Sequence, residues 1–444
     1  MSESRPSVAP LKAPRKLKVD ETTLEGGLQA LTVRRSEVPL VEVRLVFPMS
    51  GRQMSRPAYP LVASESLLAG TPRHDRIELA EAVGRLGGNL GASASGDSFV
   101  LHGSAFAARY RQLLQLMAEV LTEASYPPEE VEGDRSRSAD EITLMLSRPE
   151  TVAAEALGRQ LYGRHPYGTP LPRPDEVRAV TAARLRRLHA SLLRPAGAHL
   201  VAVGDLTTKR ATGTASEVLG AWLAGGPSSR SELPKLPRIE RGPLGLVHRP
   251  QAVQSNLRIA GSMPSRLDPD WPAVATAVAV LGGMFTSRIV ENLRERNGYT
   301  YSPYAVVRHM RAGSTGTIGA DVSTDVTAAA LVEARYEVAR LATGGITEAE
   351  LEAARRYLVG SFLFQTATQA GLASTLGALA AAGVDPGYLS SHPARLAKVT
   401  RQEVGEAARR YFSPSRLTTV IVGDADRVAD RLADLEEVAV VDSP

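Results

Sequence analysis

Leu193-Arg194-Pro195-Ala196-Gly197-Ala198-His199-Leu200-Val201-Ala202-Val203-Gly204-Asp205 and Phe412-Ser413-Pro414-Ser415-Arg416-Leu417-Thr418-Thr419-Val420-Ile421-Val422-Gly423-Asp424 follow one pattern. The step from Pro to Gly is nine residues in both. A helical periodicity precedes each, over 181–192 and over 400–411. Proline stops that helix, a short apolar run reads as a buried strand, and Gly-Asp turns the chain. Such a unit, occurring twice, points to a duplicated domain.

The beginnings of the two halves correspond as well. Residues 28–33 and 41–47 read as strands in the first half, and segments around 246–248 and 256–260 in the second. Residues 223–237 between them are rich in Gly, Pro and Ser and suit a solvated linker, with the boundary near residue 230. The expected division is a disordered arm at 1–22, a first domain at 23–222, a linker at 223–240 and a second domain at 241–444. In the first half, helices are expected at 58–68 and 77–86, an antiparallel strand pair at 89–95 and 98–103, and a helical stretch from 105 to 193. In the second, helices at 272–281 and 286–294 precede a strand pair at 299–308 and 314–321, and helices then run to 411. Thr347-x-x-Glu350 and Thr400-x-x-Glu403 are capping boxes at two helix starts. The class is α+β, with two homologous domains, each a mixed, mostly antiparallel β-sheet packed with α-helices.

Composition narrows the function. Aromatic residues are only 5% of the 444, so Ala, Val and Leu must build the cores. The net charge of +4 is small for this length, and arginines alternate with acids, as in Arg135-Ser136-Arg137-Ser138-Ala139-Asp140-Glu141. That is a solvated mixed-charge face and not a nucleic-acid surface. There is no cysteine, which excludes disulfides, thiolate zinc sites and cysteine nucleophiles. Residues 1–18 are rich in Pro, Ser and Lys and lack an apolar h-region, so they read as an arm and not a signal peptide. No apolar run approaches a membrane span. A cytoplasmic location is expected.

Chemistry is sought at Leu61-Val62-Ala63-Ser64-Glu65-Ser66-Leu67-Leu68-Ala69-Gly70-Thr71. Downstream come Glu78-Leu79-Ala80-Glu81-Ala82-Val83, Leu86-Gly87-Gly88-Asn89-Leu90-Gly91-Ala92 and His165-Pro166-Tyr167-Gly168. Gly282-Gly283-Met284-Phe285-Thr286-Ser287-Arg288 and Leu293-Arg294-Glu295-Arg296-Asn297-Gly298-Tyr299-Thr300-Tyr301-Ser302 follow. In this order and spacing, over about residues 25–430, the chain resembles the pitrilysin (insulinase) family of inverted zinc metallopeptidases. The likeness is to the half-size, processing-peptidase-like branch.

The resemblance implies a site with its zinc chemistry removed. Active members place two histidines four residues apart on one helical face, a water-activating glutamate between them, and a third ligand glutamate far downstream. Here Leu61 stands for the first histidine, Ser64 for the catalytic glutamate and Glu65 for the second histidine. Glu141, 76 positions after Glu65, stands for the third ligand. No metal and no cofactor are expected in this chain, and zinc is expected in a partner. On their own, Glu65 and Glu141 are ordinary helix positions, solvated or paired with Arg. No two of the eight histidines are three to five residues apart, so no shifted motif replaces the lost one. His165 reads as a residue that fixes its loop.

The second half carries Arg294 and, seven residues later, Tyr301. Taken alone, Arg294 caps a helix C-terminus and Tyr301 packs in a sheet. The resemblance implies a different role, in which both contact a peptide beside a zinc held by another chain. The strand at 89–95 corresponds to the edge that pairs with substrate in catalytic relatives, or is a plain edge protected by its polarity. Gly282-Gly283 is expected to begin a short turn before the helix at Thr286. The expected function is a noncatalytic subunit of a heterodimeric zinc peptidase, with a zinc-bearing homologous subunit and a peptide as partners. The alternative is a structural or peptide-binding protein of the same fold with no part in catalysis.

Overall fold

The computed structural model describes residues 17–225, 233–239 and 241–441. It contains two six-stranded mixed sheets covered by helices. The first is built from β1 (Asp20–Thr23), β2 (Gln29–Arg34), β3 (Leu40–Pro48), β4 (Asn89–Ser95), β5 (Ser98–Phe106) and β6 (His199–Gly204), in the order β1-β2-β6-β3-β5-β4. The second is built from β7 (Leu244–His248), β8 (Gln254–Met263), β9 (Tyr304–Met310), β10 (Gly313–Ser323), β11 (Thr418–Gly423) and β12 (Val438–Val441), in the order β12-β7-β11-β8-β10-β9.

The duplicated motif explains this order. β6 and β11 are its two strands; β6 inserts between β2 and β3, and β11 between β7 and β8. Each runs parallel to one neighbour (β2, β7) and antiparallel to the other (β3, β8). A strand inserted mid-sheet is covered on both faces, which is why both copies read as unbroken apolar runs. β11 is buried at every position and β6 at all but His199. The halves differ only at one margin, where antiparallel β1 flanks β2 but parallel β12 flanks β7.

The two faces of each sheet belong to different cores. Ala30, Leu200 and Ala202 face the main core of the first half, while their neighbours Leu31, Val33, Val201 and Val203 face the opposite way. That opposite face is covered by the helix Gln369–Ala381 from the second half, through Leu372, Ala373, Leu376 and Leu379. The second sheet is treated likewise. Ile421 and Leu257 face the helices of their own half, while Val247, Ala260, Val420 and Val422 join a core that includes Ala153 and Leu157 of the first-half helix Pro149–Tyr162. Each half thus places one helix on the other's sheet. Tyr162 bonds Thr315 Oγ1 at 2.5 Å and Gln160 bonds Thr418 Oγ1 at 2.5 Å, sealing that contact.

Four expectations need correction. The arm was expected to be disordered to residue 22. Residues 1–16 lie outside the described residues, but Asp20–Thr23 pairs with β2. The linker was expected to be solvated. Residues 226–232 and 240 lie outside the described residues, but Leu233, Leu236 and Ile239 pack on the first core, and Leu223 ends a helix. The strand expected from 299 begins at Tyr304. Gly282 and Gly283 lie in a π-helical turn, Ala279–Gly283, that continues the preceding helix. A Cβ on Gly282 would lie 2.6 Å from the Ala305 backbone nitrogen, so glycine lets this turn press against β9. No helix among the described residues is long and apolar enough to cross a membrane.

Candidate functional site

The helix Ala58–Ser66 carries the three degenerate positions and packs against the helix Pro128–Leu146. Leu61 packs half-buried against the first core. Ser64 is buried and donates its hydroxyl to the Leu61 carbonyl at 2.7 Å. Glu65 lies at the surface beside Glu141. Partial shielding from water first, then repulsion from Asp134 and Glu141, raise its carboxyl pKa against the opposing pull of Arg137 and Arg76.

The structure thus brings Glu65 and Glu141 near one another, while the nearby Arg76 and Arg137 are committed to Asp134. Asp134 is 2% exposed and is the hub. Its Oδ2 accepts from Ser66 Oγ at 2.7 Å and from Arg76 at 2.7 Å, and Arg137 bonds its other oxygen. Arg76 also holds Glu130 at 2.5 Å. These residues do not fit a zinc ion. Leu61 has no lone pair to donate, the Ser64 hydroxyl is committed to a carbonyl, and a catalytic zinc takes three protein ligands. Among the described residues, three potential ligands converge only elsewhere, at His248, Asp424 and Asp426, where His248 Nδ1 already accepts the Ala425 amide at 3.0 Å. The Asp134 hub escaped the sequence reading. Its one local signal is that Asp134, Arg137 and Glu141 share a helical face at spacings of three and four.

In the second half, a π-helical segment Val290–Arg296 ends at Gly298, whose φ of +65° only glycine adopts without strain. The Tyr299 amide reaches back to the Leu293 carbonyl at 2.8 Å, and Thr300 Oγ1 donates to the Asp321 carbonyl at 2.7 Å. Just before this segment, Arg288 grips both Glu350 oxygens at 2.7 and 2.9 Å. The stretch carrying Arg294 and Tyr301 is therefore braced at both ends. The Arg294 guanidinium stacks over the Phe285 ring at 4.2 Å and bonds Glu295 Oε1 through Nε at 2.7 Å. Tyr301 sits in the loop before β9, not in the sheet. It is 87% exposed, and its phenol makes no hydrogen bond to any described residue. The packing role available to Tyr301 from sequence is thus not the one it has.

β4 and β9 each form one of the two edges of their sheets, paired on one side only among the described residues. Gly88 leads into β4 because a Cβ there would lie 1.8 Å from the Ser104 carbonyl oxygen. A cleft of about 910 Å³ lies between the halves. Leu61, Ser93 and Ala94 line it from one side, and Arg266, Arg308 and Ala378 from the other, while Arg294 and Tyr301 do not line it. His165 closes its own loop as expected. Its Nδ1 accepts the Tyr167 amide at 3.2 Å and its Nε2 donates to the Pro234 carbonyl at 3.0 Å.

Comparison with known proteins accounts for this arrangement. Residues 66–175 match the family profile described as insulinase (peptidase family M16), and residues 179–358 match the one described as peptidase M16 inactive domain. An uncharacterized zinc protease of Mycobacterium tuberculosis is 25% identical over 407 residues, covering 88% of this chain and 90% of its own. A crystal structure of a peptidase M16 inactive domain from Pseudomonas fluorescens is 25% identical. It superposes with a TM-score of 0.84, covering 92% of this chain and 98% of that one. A chain of complex III2 from Candida albicans shares the fold at 12% identity and a TM-score of 0.78, covering 95% of this chain and 100% of its own. With both halves matched in order and in fold, and with Leu61, Ser64 and Glu65 where zinc chemistry requires His, Glu and His, the chain belongs to peptidase family M16 as a noncatalytic member.

Proposed function

We propose that this chain is the noncatalytic subunit of a two-chain zinc peptidase, closing with a zinc-bearing homologue around a peptide. The observation that carries the reading is the contrast between the two halves. The zinc positions are filled by an apolar side chain, a tied hydroxyl and a carboxylate crowded by Asp134 and Glu141, while Tyr301 keeps an exposed phenol without a partner among the described residues. Hydrolysis of a peptide bond places negative charge on the carbonyl oxygen, and a phenol O–H aimed there stabilises it. Arg294, stacked on Phe285 and paired with Glu295 through Nε and Nη2, would turn its remaining donors to substrate carbonyls. Zinc, if held by the partner, supplies the activated water.

The test is co-expression with a homologue bearing His-x-x-Glu-His, followed by cleavage of a fluorogenic peptide. Arg294→Ala combined with Tyr301→Phe is expected to lower kcat of the pair by roughly 10²–10³-fold, the usual cost of losing an oxyanion donor. Unchanged cleavage overturns the assigned role. A second reading, a structural subunit with no part in catalysis, is favoured by the likeness to the complex III2 chain. It predicts stable assembly with a partner and no effect of either substitution.

A further inference from the structure

The cleft between the halves has an unusual charge balance. Among the described residues, four arginines line it, Arg44, Arg266, Arg308 and Arg311, against a single carboxylate, Asp97. Asp97 is already committed, accepting from the Tyr167 phenol at 2.6 Å and from the Arg311 amide at 2.7 Å. Arg44 is neutralised by Glu42 at 2.9 Å, and Arg311 donates to the Met49 carbonyl at 2.7 Å. The side chains of Arg266 and Arg308 have neither an acidic partner nor a hydrogen bond among the described residues. Arg266 is half-buried beside Tyr388, and burial depresses the pKa of its guanidinium. A half-buried guanidinium without an anion has lost part of its hydration, and an incoming anion offsets that loss. Ser93 and Ala94 of the half-paired edge strand β4 line the same cleft, so an extended backbone can pair there while its charge reaches the arginines. The volume falls within the usual range of ligand pockets.

We propose that this cleft binds a peptide through a carboxylate held by Arg266 and Arg308. The inference takes from the proposed function only that the ligand is a peptide, and needs neither a partner chain nor cleavage. The carboxylate comes from a C-terminus or from an acidic side chain, and three decapeptides of Gly, Ser and Ala, each labelled at its N-terminus with an uncharged BODIPY dye, separate these sources. One carries a free C-terminal acid, one is amidated, and one is amidated with an internal Glu.

Fluorescence anisotropy is read with the full single chain at low salt. The free-acid peptide, the Glu peptide or both are expected to bind at least roughly tenfold more tightly than the neutral amide, the worth of a charged hydrogen bond. Arg266→Gln with Arg308→Gln is expected to bring them to the level of the amide. Since neither arginine holds another residue, the double variant should keep its melting curve, and the more exposed Arg308→Gln alone provides a second variant. Equal binding of all three peptides, no binding of any, or an unchanged affinity in the folded double variant overturns the proposal. None of these outcomes affects whether Arg294 and Tyr301 assist a partner's cleavage, which is read separately in the pair.

Discussion

Acid should unfold this protein through His392. The residue is 6% exposed and lies parallel to Tyr388 at 4.6 Å and to Trp271 at 6.2 Å, with Phe362 edge-on at 5.6 Å. Its Nδ1 is buried without a hydrogen-bond partner among the described residues. Burial first, then the charges of Arg395 and Arg266 and the neighbouring His309, push its pKa down to about 3. The unfolded chain titrates at about 6.5. Above pH 6.5 the imidazole is neutral in both states and the folded packing is fully stabilising. Below it the unfolded chain takes up a proton that the folded chain refuses, and stability falls until the pH reaches the folded pKa. At about 1.4 kcal/mol per pH unit, this one group costs about 2 kcal/mol between pH 7.5 and 5.0. His309, also depressed to about 3 by burial and Arg266, adds to the trend. The assay is urea unfolding at both pH values for the wild type and for His392→Phe, whose ring can stack but cannot titrate. Other groups titrate alike in both proteins, so the variant should lose about 2 kcal/mol less on acidification. An equal loss in the two proteins would falsify the reasoning.

Two further outcomes are expected. Replacing Leu61→His, Ser64→Glu and Glu65→His places the ligands on one helical face beside Glu141, so the single chain should take up one zinc by metal analysis where the wild type takes none. A folded triple variant without zinc would show that Arg137 and Arg76 have closed the site. Asp134→Ala leaves Ser66 and Arg76 without their shared acceptor and should cost about 2–3 kcal/mol in denaturant unfolding. That is below the value for a fully buried pair because both guanidinia remain partly in water. A change under about 0.5 kcal/mol would mean the hub is merely solvated.

Much of the candidate site was legible residue by residue. The absence of a metal donor at Leu61 and of a carboxylate base at Ser64 is a matter of side-chain chemistry and needs no coordinates. Gly87-Gly88 before a polar strand and Gly298 before Tyr301 are local conformational demands, and both appear where glycine permits them. The strand expected at 299 starts later because the reversal at Gly298 and the Thr300 bond to Asp321 use the intervening residues as a loop. That loop is what exposes Tyr301. The Asp134 hub was missed because its partners, Ser66 and Arg76, are 68 and 58 residues away.

The duplication and its buried strand were determined by the sequence alone, since both are written in spacing and apolar pattern, and the family resemblance marked the lost zinc positions. Which helix covers which sheet was decided only in three dimensions. An apolar strand such as Leu200-Val201-Ala202-Val203 records that both its faces are buried, but not by what. Here one face meets helices of its own half, and the other meets Leu372, Leu376 and Leu379 from far along the chain. Gly377 lets that helix approach Val46 closely. The same exchange brings Ala378 and Arg308 of the second half opposite Leu61 and β4, and so creates the charged cleft between the halves.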